Sequence, residues 1–154
     1  MTGGSRNHAR VMSAIGIALG RRLDPSLWAI TVADLAIDVG EGIRYPDVMV
    51  EAIDDRGAER STEAPVLACE VLSPSSLETD FDDKLAEYTA LSSLQYYLIA
   101  AQDEPTMWVW TRGADGKFPA HAEKFEGMNA VVELPILGVC LPFAEVYRVL
   151  LPRN

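Results

Sequence analysis

Three residues in this sequence have the type and the surroundings to do chemistry: Glu70, Asp47 and Lys84. Glu70 interrupts the apolar run Val66 to Leu72, VLACEVL. A charge inside a strand-length apolar run is costly unless it is paired or holds a metal. Asp47, in YPDVMVEA, stands at the head of another strand-like run. One loop separates the two segments, so adjacent pairing is expected. Two such carboxylates could share a hard divalent cation. Magnesium takes oxygen ligands in octahedral geometry and keeps several waters. The backbone carbonyl of Val71 offers a further oxygen beside Glu70. Side chains alternate along a strand, so Glu70 and Leu72 share one face while Cys69 and Val71 point to the other. Cys69 is therefore a core residue if Glu70 faces a cleft.

Lys84 lies on the helical segment after the turn-rich break Ser73-Pro74-Ser75-Ser76. It borders an apolar stripe of Phe81, Leu85, Tyr88 and Leu91, one turn after Asp80. On its own it reads as half of an Asp80–Lys84 pair on a solvated edge, worth a few tenths of a kcal/mol. Near two converging carboxylates it reads as a cation that orients water or faces phosphate. His8 has two readings as well. It falls near the apolar stripe of the first helix, either as a partly buried, hydrogen-bonded histidine or at the mouth of an acidic site.

The elements that must position these groups follow from periodicity and punctuation. A helix is expected from about Ser5 to Leu23, with Val11, Ile15 and Ala18 at helical spacing and Ser5 or Asn7 as cap. Strands follow at Trp28 to Val32, Leu35 to Val39 and Ile43 to Ala52. Pro46 restricts its position to a strand start or an edge. Asp54 to Ala64 reads as an exposed loop, and Pro65 opens the buried strand Val66 to Leu72. Thr79 would cap a helix from about Asp80 to Ser92, with Asp80, Asp82 and Asp83 in its first turn. Strands are then expected at Leu94 to Ala101, Thr106 to Thr111, more weakly Phe118 to Phe125, and at Val131 to Leu134 and Val139 to Leu141. Phe143 to Leu150 would be a closing amphipathic helix. The order predicts an α/β fold with a mixed central sheet.

Composition sets outer limits. A chain of 154 residues, 49% hydrophobic and 23% charged, suits one globular domain over residues 1–154. No apolar run approaches the roughly 18 residues of a membrane span. MTGGSRNHAR lacks the apolar centre of a signal peptide. Two cysteines in apolar runs argue against a disulfide framework and for a reducing, cytoplasmic setting. The net charge of −10 repels nucleic acid at long range, which counts against a nuclease unless that charge lies away from the working face.

Taken in order, Pro46-Asp47, then EVLSPSS from Glu70 to Ser76, then Asp80, Lys84 and Tyr88 spaced D-x-x-x-K-x-x-x-Y, resemble the Uma-type ("Uma-two") restriction endonuclease family. That family is a branch of the PD-(D/E)XK nuclease superfamily. The similarity extends more weakly to the first helix with His8, to YYLIA at Tyr96 to Ala100, and to LPILGVCLPFAEVY, so it covers nearly the whole chain. It implies a four- or five-stranded mixed sheet flanked by helices, with a metal at one end. Asp47 and Glu70 would be the magnesium (or manganese) ligands. The superfamily's lysine two residues after the glutamate is Leu72 here, and the resemblance moves that role to Lys84. His8, Ser73, Asp80 and Tyr88 would surround this set, Ser73 on the phosphate or capping the turn. Members carry an acidic residue ahead of the first helix, and MTGGSRN has none. The implied activity is magnesium-dependent hydrolysis of DNA phosphodiester bonds by a homodimer. The acidic charge keeps a second reading open, a nuclease-fold binding or assembly module without turnover. A third is a metal-dependent hydrolase of another phosphate ester.

Overall fold

The structure, a computed structural model, describes residues 4–77 and 81–152, and only the backbone of residues 77 and 81–83. The Thr79 cap and the Asp80–Lys84 pair expected above lie outside the described residues.

The first helix, α1, spans Arg6–Gly20. Ser5 caps it, its hydroxyl accepting from the His8 amide at 3.1 Å. Val11, Ile15, Ala18 and Leu19 recur at helical spacing, and all four are buried. Gly16 lets the helix approach the sheet closely. A Cβ there would meet Cγ2 of Val32 at 2.6 Å.

The strands that follow are β1 (Trp28–Val32), β2 (Ala36–Asp38), β3 (Ile43–Arg44), β4 (Val48–Ala52), β5 (Ser61–Thr62) and β6 (Pro65–Leu72). Next come the short helix α2 (Pro74–Leu77) and α3 (Phe81–Thr89). The chain continues with β7 (Tyr96–Ala101), β8 (Thr106–Thr111), β9 (Glu123–Glu126), β10 (Val131–Leu134) and β11 (Val139–Pro142). Helix α4 (Phe143–Val146) then runs into a 3₁₀ turn, Tyr147–Leu150.

The main sheet has six strands in the order β1-β4-β6-β7-β8-β9, one or two more than the resemblance implied. All neighbours are antiparallel except β6 and β7, which run parallel. A parallel pair needs a crossover of a dozen residues or more, and the segment carrying α2 and α3 supplies it. Along β6, Leu67, Cys69 and Val71 face α1, α4 and the β10–β11 hairpin, whereas Ala68 and Leu72 face the side where Tyr88, Leu85 and Ile37 pack. Cys69 is fully buried among apolar neighbours, as the alternation predicts.

Several sequence expectations are corrected. Ile43 to Ala52 is not one strand. Arg44 pairs with Ile37 in the small sheet β3-β2-β5, while Val48 onward pairs with β1 and β6. Pro46, with no amide hydrogen to give a ladder, sits at the step between the sheets, and Asp47 immediately precedes β4. The loop from Asp54 to Ala64 contains the two-residue strand β5, parallel to β2. The expected Phe118–Phe125 strand is realised only at Glu123–Glu126. Pro119 cannot donate to a ladder, and the Phe118 ring instead lies under the Arg112 guanidinium at 4.5 Å. The break at Ser73 winds into α2, with Pro74 at its first position, and the closing helix tightens to a 3₁₀ turn halfway along. No helix among the described residues is long and apolar enough to cross a membrane.

Candidate active site

The pairing of β4 with β6 ends at Val48 opposite Cys69. One step further along both strands sets Asp47 across from Glu70. Both carboxylates thus sit where β6 runs past the start of β4, and α3 on the adjoining crossover brings Lys84 and Tyr88 to Glu70.

Each carboxylate has one oxygen held by donors. Oδ2 of Asp47 accepts from the Val71 amide at 2.7 Å and meets Nε2 of His8 at 3.2 Å. Among the described residues, no hydrogen bond falls on Oδ1. In an extended strand a residue's N–H and C=O point to the same edge, so the Val71 carbonyl points to the β4 side too. Oε1 of Glu70 accepts from the Tyr88 hydroxyl at 3.0 Å, and Oε2 faces the Lys84 ammonium at 3.6 Å. Glu70 is 6% exposed and Tyr88 fully buried. The Asp47, His8 and Lys84 side chains keep 18%, 22% and 24% of their surface, so the cluster opens to solvent on their side.

The electrostatics follow from burial. Loss of water raises the Glu70 pKa above the ordinary glutamate value. Lys84 opposes that rise, Asp47 adds to it, and the Tyr88 hydrogen bond opposes it. Burial and the Glu70 charge push the Tyr88 phenol far up, so it stays a donor.

Of the residues singled out from the sequence, Asp47, Glu70, His8, Lys84 and Tyr88 come together here. Lys84 reaches the buried Glu70. Ser73 does not join them. Its hydroxyl bonds the hydroxyls of Ser75 and Ser76, and its carbonyl accepts the Ser76 amide at 3.0 Å, so it shapes the turn.

Two contacts escaped sequence reasoning. Arg44, three residues before Asp47, makes a two-pronged ion pair with Glu87, its Nη2 reaching Oε1 at 2.7 Å. This pair ties the segment carrying Asp47 to the helix carrying Lys84 and Tyr88. Asn7 donates to Asp103 at 2.8 Å, anchoring the first turn of α1 to the end of β7. The only sequence signal for either was proximity to a singled-out residue.

Backbone strain lies beside the site. Ala33 and Asp34 have φ of +56° and +73°, a region that disfavours residues with a Cβ. The amide of Ala33 donates to the Asp47 carbonyl at 2.9 Å, so this turn holds the aspartate's own backbone.

Whether these groups suit a cation can be judged from the donors. Among the described residues, no cluster of three or more His, Cys, Asp or Glu could hold a metal ion, a poor match for structural zinc. Two carboxylates from adjacent strands suit magnesium, which is bound by one or two carboxylates and keeps waters.

Comparison with known proteins agrees with this architecture. The sequence profile of the Uma2 family, described as "putative restriction endonuclease", matches residues 1–144. An uncharacterized protein of Synechocystis sp. is 32% identical over 107 residues, covering 66% of this chain and 60% of that protein. This chain therefore matches less than two thirds of that relative's length. A crystal structure of a putative nuclease of the DUF820 group from Anabaena variabilis superposes with a TM-score of 0.75 at 18% identity, over 96% of this chain and 84% of that one. At that identity the likeness speaks for the fold.

Proposed function

The chain belongs to the Uma2 family, and on that premise we propose that it is a magnesium-dependent endonuclease hydrolysing DNA phosphodiester bonds. The observation that carries the reading is the pair of carboxylates across β4 and β6, each with one oxygen pinned by the protein's own donors. Asp47, Glu70 and the Val71 carbonyl would hold the cation. When bound, magnesium polarises the scissile phosphate and lowers the pKa of its water.

The chain's own groups do the rest. The Val71 amide and His8 fix the Asp47 carboxylate, and Tyr88 fixes Glu70. Lys84 contributes a positive charge that orients the attacking water or offsets charge gathering on the phosphate oxygens. Two strands are cut by two sites, so the active species is a homodimer. The free cysteines, Cys69 and Cys140, accord with a reducing cytoplasmic setting.

The net charge of −10 favours a second reading, a binding or assembly module that does not turn over. One experiment separates them. Plasmid, linear duplex, single-stranded DNA and RNA are incubated with wild type and Asp47→Ala, each with magnesium, manganese or chelator. Cleavage that needs a divalent ion and Asp47 supports the endonuclease. DNA binding with no cleavage under any condition moves the assignment to the module.

A further inference from the structure

Two arginines without an ion pair among the described residues meet in one cleft of this acidic chain. Half of the chain's described basic side chains are already engaged. Arg22 pairs with Glu145, Arg44 with Glu87, Arg56 with Asp54, Lys84 with Glu70 and Lys124 with Glu126. Arg112 spends its guanidinium on the carbonyls of Leu94, Leu91 and Gly116. Arg6, Arg10, Arg21, Arg60, Lys117 and Arg148 make no such ion pair among the described residues, and of these Arg10 and Arg148 stand together. Both are exposed, and both line one cleft of about 1050 Å³ between the start of α1 and the 3₁₀ turn after α4.

That cleft has further features that fit a polyanion. Glu145, the acid in its lining, is held by both prongs of Arg22 at 2.6 and 2.8 Å, so its charge is spent inside the pair. Arg6 lies one turn before Arg10 on the same side of α1 and is exposed as well. Asn7 lines the cleft, and the next residue is His8, whose ring touches Asp47. The first turn of α1 therefore borders both the cleft and the carboxylate site, on different faces.

We propose that this cleft is a track for the phosphodiester backbone of the DNA strand, with Arg10 and Arg148 as phosphate contacts that guide it to or from Asp47 and Glu70. The track rests on the endonuclease reading for its substrate but not for its test. It also answers the charge problem. Repulsion from a net charge of −10 acts on the whole surface, while two unpaired guanidiniums in a concave wall act at contact distance, where screening is weakest. Arginine suits phosphate, since its fork can make two parallel hydrogen bonds.

The test is binding of a labelled 30-base-pair duplex across a salt series, with chelator present so that no strand is cut. Arg10→Ala/Arg148→Ala is compared with a charge-matched control, Arg60→Ala/Lys117→Ala, whose residues are exposed and far along the chain from the cleft. Melting temperatures confirm that both doubles are folded. Each lost phosphate contact lowers the slope of log K against log salt by about 0.9, so the cleft variant loses about 2 from that slope. Its affinity near 0.1 M salt falls by roughly 10- to 100-fold, and the control changes by less than about 3-fold. Equal losses in both doubles, or no DNA binding by wild type, overturn the track. Cleavage assays with magnesium separate the two readings. Cutting that is indifferent to Arg10 and Arg148 removes the track and leaves the endonuclease. Arginine-dependent binding without cutting keeps the track and removes the endonuclease.

Discussion

Replacing Tyr88 by Phe removes one oxygen from the interior and nothing else of consequence. That oxygen donates to Oε1 of Glu70 at 3.0 Å, inside a fully buried ring environment that includes Tyr97 at a centroid distance of 4.9 Å. A hydrogen bond to a charged group contributes about 1.5–3 kcal/mol, and Glu70 is too buried for water to replace the donor freely. With an unfolding entropy of about 2.1 cal/mol/K per residue, a chain of 154 residues loses about 5–9 °C in melting temperature for that range. The loss depends on pH, and its sign can be worked out. The folded pKa of Glu70 is already raised, chiefly by burial, so its ionised form costs stability at and above that pKa. Tyr88 favours the ionised form, and its removal raises the folded pKa further. The variant is therefore weakest relative to wild type above the folded pKa. Below the ordinary glutamate value near 4.5, Glu70 is protonated in both proteins, and the gap shrinks to the 0.5–1.5 kcal/mol of a neutral bond. Urea titrations of both proteins between pH 4 and 8 measure it. A variant as stable as wild type at pH 8, or a gap that does not narrow on acidification, refutes the electrostatic account of the cluster.

Three further expectations follow from the same geometry. Glu70→Gln keeps an acceptor for Tyr88 and discharges a buried carboxylate, so without metal its melting temperature equals or exceeds that of wild type. It also forfeits the stabilisation that magnesium gives wild type, about 2.7 kcal/mol at 100 times the dissociation constant; a large drop in metal-free stability would instead make Glu70 a structural ion-pair partner. Lys84→Ala lowers plasmid cleavage by about 10²-fold or more while magnesium still shifts its melt. Because Lys84 offsets a buried charge, the variant also loses roughly 1–2 kcal/mol at neutral pH, and unchanged cleavage sinks the role. Ala33→Gly relieves a left-handed residue worth about 1–2 kcal/mol against an entropic cost of about 0.5–1 kcal/mol; a small rise in melting temperature is expected, and a fall would show that the turn is not strained.

Much of this site was legible in the sequence because each signal was a local contradiction. Glu70 stood out as a charge in VLACEVL, and strand alternation already put Cys69 on the far face. Pro46 marked a strand boundary, yet the sequence does not say that the chain changes sheets there. That depends on Arg44 finding Ile37 in a different ladder, a long-range pairing with no local trace. The Arg44–Glu87 pair was invisible for the same reason, since two exposed-looking charges far apart in sequence meet only after the crossover closes. The Lys84 helix gave the opposite lesson. Its local partner, Asp80, suggested a solvated pair, while the folded chain offers the buried Glu70 at 3.6 Å. The short strands β3 and β5 carry too few residues for any period to register.

The single parallel pair in the main sheet has a consequence for the order in which the molecule closes. β7, β8 and β9 are successive antiparallel neighbours, and β4 meets β6 across a short excursion, so each half of the sheet gains contacts at modest loop cost. Joining β6 to β7 in register, Glu70 beside Ile99, requires the whole intervening segment to be laid across the sheet first. Such non-local closure is entropically expensive and slow. Glu70 lies on one half, Tyr88 and Lys84 on the segment that must be laid down. The segment that joins the two halves is thus also the one that brings the phenol and the ammonium to the carboxylate.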